Sequence, residues 1–79
     1  MIKLKNVNKH NDTIQCDAYI EDSIEAVPLK LNLSTGMFDE YSLPRGYEWC
    51  SSHIAHARMV LIDMAKNENI TSERLIMWC

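Results

Sequence analysis

The chain has 79 residues, 47% of them hydrophobic and 24% charged, with a formal net charge of −3. This length is read as one domain over residues 1–79, and the ordinary globular balance of its composition excludes a disordered chain. The mild acidity comes with no basic stripe of the kind that grips phosphates, so direct nucleic-acid binding is not expected.

The opening, Met1-Ile-Lys-Leu-Lys-Asn, alternates apolar and polar residues, a pattern expected of neither a secretory signal nor a membrane anchor. Residues 2–9 read as a strand, with Ile2 and Leu4 on one face and Lys3 and Lys5 on the other. His10-Asn11-Asp12 is turn chemistry. Residues 13–21 alternate most cleanly, placing Ile14, Cys16, Ala18 and Ile20 on one apolar face. After a loop at 22–26, Val27, Leu29, Leu31 and Leu33 repeat that pattern, and Pro28 puts the strand's start nearby or the strand at an edge. Ser34-Thr35-Gly36 suits a tight hairpin leading into a shorter strand at 37–43, which Pro44-Arg-Gly46 breaks.

A helix is expected from about Cys50 to Asn67, capped by Ser51 or Ser52. Its apolar stripe is Cys50, Ile54, Ala57, Leu61 and Ala65, flanked by His53, Val60 and Met64. The last segment, residues 74–79, is apolar on both faces, which places it centrally in a sheet or beneath another chain. The order is ββββαβ. The expected fold class is α+β: an antiparallel four-stranded meander, one helix packed on one sheet face, and a C-terminal strand inserted or added.

Three cysteines, an odd number outside any secretory context, read as reduced thiols of a cytoplasmic protein. Cys50-Ser-Ser-His53-Ile-Ala-His56 opens the helix and Cys79 closes the chain. Cys50 and His53 are i, i+3 neighbours, and a last strand returning beside the helix brings Cys79 towards them. Cys16 is the fourth candidate, with His56 or His10 as substitutes. Two readings follow: one structural zinc held by Cys50, His53, Cys79 and Cys16, or plain burial of the thiols as small hydrophobes.

A catalytic reading makes Cys50 a nucleophile at the helix N-terminus with His53 assisting. No third group accompanies them in the sequence, and Asp39-Glu40 point to opposite faces of a strand, so the chain is read as non-enzymatic.

Charge is unevenly spread. Residues 11–40 carry seven acids against Lys30 alone, a local charge of −6, while residues 1–10 carry three lysines and no acid. Partner-binding candidates are therefore Asp17, Glu21, Asp22 and Glu25, together with Met59 and Ile62 on the helix side opposite its buried stripe. Trp78 with Tyr19 and Ile76 forms a second candidate patch, on the open sheet face.

The C-terminal half, His53-Ile-Ala-His-Ala-Arg-Met-Val-Leu-Ile-Asp-Met-Ala-Lys followed by Glu73-Arg-Leu-Ile-Met-Trp-Cys79, resembles small proteins encoded in phages and mobile elements of Gram-positive bacteria. The resemblance covers about the last 27 residues, and Cys79 stands where the pattern usually has tyrosine. It implies a bacterial cytoplasmic setting and an anti-CRISPR-like inhibitor, which contacts a host CRISPR effector nuclease and blocks its nucleic-acid loading. The alternative is a homodimeric structural or regulatory module of a mobile element.

Overall fold

The computed structural model describes residues 1–78. It is an α+β fold in the order β1 (Ile2–His10), β2 (Thr13–Ile20), β3 (Val27–Asn32), β4 (Met37–Phe38), α1 (Ser51–Lys66) and β5 (Arg74–Ile76). All strand pairings are antiparallel, and the sheet order is β4-β3-β2-β1-β5. The first four strands form the expected meander, and the last is added at its β1 side.

Alternation in β2 and β3 sets the buried face. Ile14, Cys16 and Ala18 lie opposite Leu31, Leu29 and Val27 in register, Ile20 lies opposite Ile2 of β1, and all eight side chains are buried. The helix lies over β1 and β2. It contributes Ile54, Ala57, Leu61 and Met64 to the same core, with Cys50 just ahead of it. Each large aliphatic side chain so buried contributes about 1.5–3 kcal/mol relative to exposure.

In β1 the pattern needs a correction. Strict alternation from Leu4 would bury Asn6 and expose Val7. Instead, Asn6 adopts a positive φ of 54° and the β1–β2 register shifts between Lys5 and Asn8. This bulge re-aims the chain so that Val7 enters the core while Asn6 stays exposed. The Asn6 amide donates to the Asp17 carboxylate across the strands at 3.0 Å, which holds the kink.

The expectation for Pro28 holds, since β3 begins one residue before it, at Val27, with Pro28 opposite Asp17. The proline is tolerated because β4 pairs only Leu31 and Asn32 and leaves the Pro28 end of β3 without a second neighbour. Other expected boundaries change for physical reasons. The strand expected at 37–43 stops at Phe38, and successive turns carry the chain from Pro44 to Cys50. The helix begins at Ser51, so neither serine caps it; Cys50 holds the cap position without a side-chain bond. At the other end Asn67 is the C-cap, and Glu68 takes the left-handed turn at φ 52°.

The largest difference concerns the C-terminal strand. It is three residues long rather than six, and it lies at the edge of the sheet rather than in its middle. Ile76 opposes Ile2 and Leu75 opposes Lys3, leaving Leu75 exposed. No helix among the described residues is long and apolar enough to cross a membrane.

The bulge has a direct test. Asn6→Gly, which relaxes at positive φ, should lower the urea midpoint only slightly, through loss of the exposed bond to Asp17. Asn6→Val, which does not, should cost about 1–2 kcal/mol. Equal losses in the two variants would show that the kink owes nothing to backbone conformation.

Candidate functional site

The features that stand out chemically gather where the end of β2, the start of α1 and the end of β5 meet. Glu21 follows β2 in a left-handed conformation, φ 51°, and its backbone N–H donates to the Met1 carbonyl at 3.0 Å. The turn aims its carboxylate at two cations or donors. Oε1 accepts the Met1 amine at 2.9 Å and His53 Nε2 at 2.7 Å. His53 itself is buried. Its Nδ1 has no hydrogen-bond partner among the described residues, an omission that costs on the order of 1–3 kcal/mol for a buried polar group. The pair with Glu21 offsets that cost and orients the ring.

Around His53 stand the two indoles. Trp49 meets it edge to face at 5.6 Å between centroids, and Trp78 does so at 4.8 Å. The Trp78 ring also stacks on His56 at 4.1 Å and 20°. Trp49 is 67% exposed, yet its indole N–H is held by the Gly46 carbonyl at 3.0 Å. Glu48 steadies the same turn by accepting the Gly46 N–H. A large aromatic surface is thus displayed in a fixed orientation, flanked by His56 and, one helical step further along, by Met59 at 66% exposure.

The sequence-predicted ligands do not all converge. Cys50 and His53 are both buried at the start of the helix. Cys16 opposes Leu29 inside the β2–β3 pairing, about 16 Å of strand back from Glu21. Cys79 lies outside the described residues. Among the described residues no three His, Cys, Asp or Glu side chains gather as a metal-ligand set. Burial pushes the Cys16 thiol up to about 12, with Asp17 adding to the effect. Burial likewise raises Cys50, and the Glu21 carboxylate raises it further. A raised pKa keeps both thiols protonated near neutral pH.

The acidic candidates separate in the same way. Glu21 is engaged by His53 and the amine. Asp22 accepts the Tyr47 hydroxyl at 2.6 Å, a bond that raises the phenol's pKa. Asp17 accepts from Asn6, while Glu25 is exposed in the loop before β3. Two of the four carboxylates therefore tie the loops around the helix start together. Of the helix candidates, Met59 is exposed and Ile62 half-buried. Tyr19, Ile76 and Trp78 do not form one patch: Ile76 sits opposite buried Ile2, while Trp78 packs on the histidines.

Sequence reasoning takes Trp49 and Trp78 as core or interface anchors without deciding between the two, and it does not foresee Glu21 as the partner of His53. Helical spacing carries part of the signal for Trp49, since Trp49, His53 and His56 recur at four and three residues. Nothing local marks the pairing of Glu21 with His53, because the two residues are 32 apart. No family model matches the chain, and neither a curated protein nor a solved structure matches it.

Two measurements test this site. The Glu21 carboxyl is held below its ordinary value of 4.5, chiefly by the His53 bond and then by the Met1 amine. A lowered folded-state value contributes stability that is fully present above 4.5 and lost as pH falls through the lowered value. Urea midpoints of the wild type should fall along that acid limb. Glu21→Gln should start lower at neutral pH and fall less; an unchanged acid limb in the variant would remove Glu21 from the account. In the second measurement, peptide mapping after native thiol labelling should find Cys16 and Cys50 unmodified until the chain unfolds. Rapid native labelling of Cys50 would contradict its burial.

Proposed function

We propose that the chain is a small non-enzymatic binding protein that engages another protein through the α1 flank displaying Trp49, His56, Trp78 and Met59. The observation that carries this reading is Trp49, 67% exposed and held in place by its own turn. Exposed tryptophans are the commonest anchors of binding energy, and an anchor already held loses little freedom on association. Met59 adds an adaptable apolar contact beside it. The raised, buried thiols of Cys16 and Cys50 favour binding over nucleophilic chemistry.

The resemblance of residues 53–79 to phage and mobile-element proteins suggests a concrete partner, a host CRISPR effector nuclease. In this reading the chain is anti-CRISPR-like and covers protein surface that the effector needs for nucleic-acid loading. A net charge of −3 fits contact with the basic protein surface rather than with the nucleic acid. Glu21 and Asp22 take no direct part, since both are engaged within the chain.

The test is target cleavage by a CRISPR effector nuclease, with the chain added before guide loading. Inhibition is expected, and Trp49→Ala should weaken it about thirtyfold, in keeping with loss of one hot-spot side chain. Met59→Glu should weaken it further with the fold intact by circular dichroism. Full cleavage with the chain in molar excess would reject the nuclease as partner; undiminished inhibition by Trp49→Ala would reject the surface.

A further inference from the structure

The two edges of the sheet are not alike. The β4 edge is two residues long and runs directly into Asp39 and Glu40, brevity and charge that discourage pairing with another strand. The β5 edge, three residues long and opened by Arg74, has a strand neighbour on one side only among the described residues, and past that arginine Leu75, Ile76 and Met77 carry no charge. Leu75 is 51% and Met77 70% exposed. On the other side of the strand, Ile76 and Trp78 are partly buried against the core. A segment apolar on both sides belongs in the middle of a sheet, yet it lies at the rim. Its outward N–H and C=O groups are open to pairing with another extended backbone.

We propose that β5 pairs antiparallel with β5 of a second copy of this chain, joining two five-stranded sheets into one. A two-fold axis requires an edge that complements itself when reversed, and this one does. With the axis at Ile76, Leu75 lies opposite Met77 of the second copy and Ile76 opposite its own equivalent. Arg74 then comes opposite Trp78 of the second copy, a cation facing an indole. Moving the axis to Arg74 would set two guanidinium groups against each other, so charge disfavours that register.

Two further features favour a second copy as the occupant. The shallow cleft beside Leu75, about 390 Å³, is lined by apolar Met1, Tyr19 and Ile24 as well as by charged Lys3, Lys5, Glu21 and Asp22. It lies on the face where Met77 of the second copy arrives. Electrostatics also favours this edge. β1, with three lysines and no acid, stands between β5 and the strands that carry the acidic 11–40 segment. Two acidic chains therefore meet on their least acidic sides.

Sedimentation equilibrium across micromolar concentrations tests this contact. The wild type should show twice the mass of the chain at the upper end. Leu75→Lys with Met77→Lys, both at exposed positions, should return the monomer mass. A monomer throughout for the wild type, or a dimer in the double variant, would overturn the proposal. Amide exchange on the wild type alone gives an independent reading: Leu75 and Met77 should become protected as concentration rises. A dimer with no such protection would place the contact elsewhere and overturn it equally.

Discussion

The contact between His53 and Glu21 holds together the functional end of this molecule. At 2.7 Å it joins the end of the central strand to the first turn of the only helix among the described residues. It draws in the chain's amine on one side and the two indoles on the other. The helix has no side-chain cap and no acid in its first turn, so its start is not set by the usual local devices. Tertiary groups take over that role: Glu21 through His53, Asp22 through Tyr47, and Gly46 through Trp49. A surface display of tryptophan is a consequence of that arrangement.

A small domain with one helix can cover only one face of its sheet, and this constraint explains the remaining features. The covered face takes the aliphatic core and both described thiols, whose burial makes them chemically quiet. The open face carries Lys3, Lys5 and Tyr19, with Lys5 lying 5.5 Å from the centre of the Tyr19 ring. Of the apolar side chains that find no place in the core, Trp49, Leu75 and Met77 lie towards the helix start and β5, while Met37 lies on β4 at the opposite edge and Ile24 in the loop before β3. The surfaces proposed for a protein partner and for self-pairing are therefore neighbours, on the helix side and at the strand edge respectively.

Much of the fold was legible in the residues. Strict alternation in β2 and β3 survives because both strands have one buried face, so each side chain's polarity states its direction. The helical stripe of Ile54, Ala57 and Leu61 was legible for the same reason, at a period of 3.6. Residues 74–79 were not: their apolar run states that both faces want cover without saying which neighbour provides it. The Asn6 bulge was equally silent, because asparagine tolerates the left-handed region without demanding it.

The sequence by itself determined the element order, the α+β class and which face of each long strand turns inward, because those follow from the periodicity of nearby side chains. Only the tertiary structure decided that β5 lies at the rim, that Cys16 stands away from Cys50, and that Glu21 serves His53 from 32 residues away. Such pairings depend on how the sheet and helix close over one another. No local pattern encodes a contact whose two halves meet only when the whole core forms.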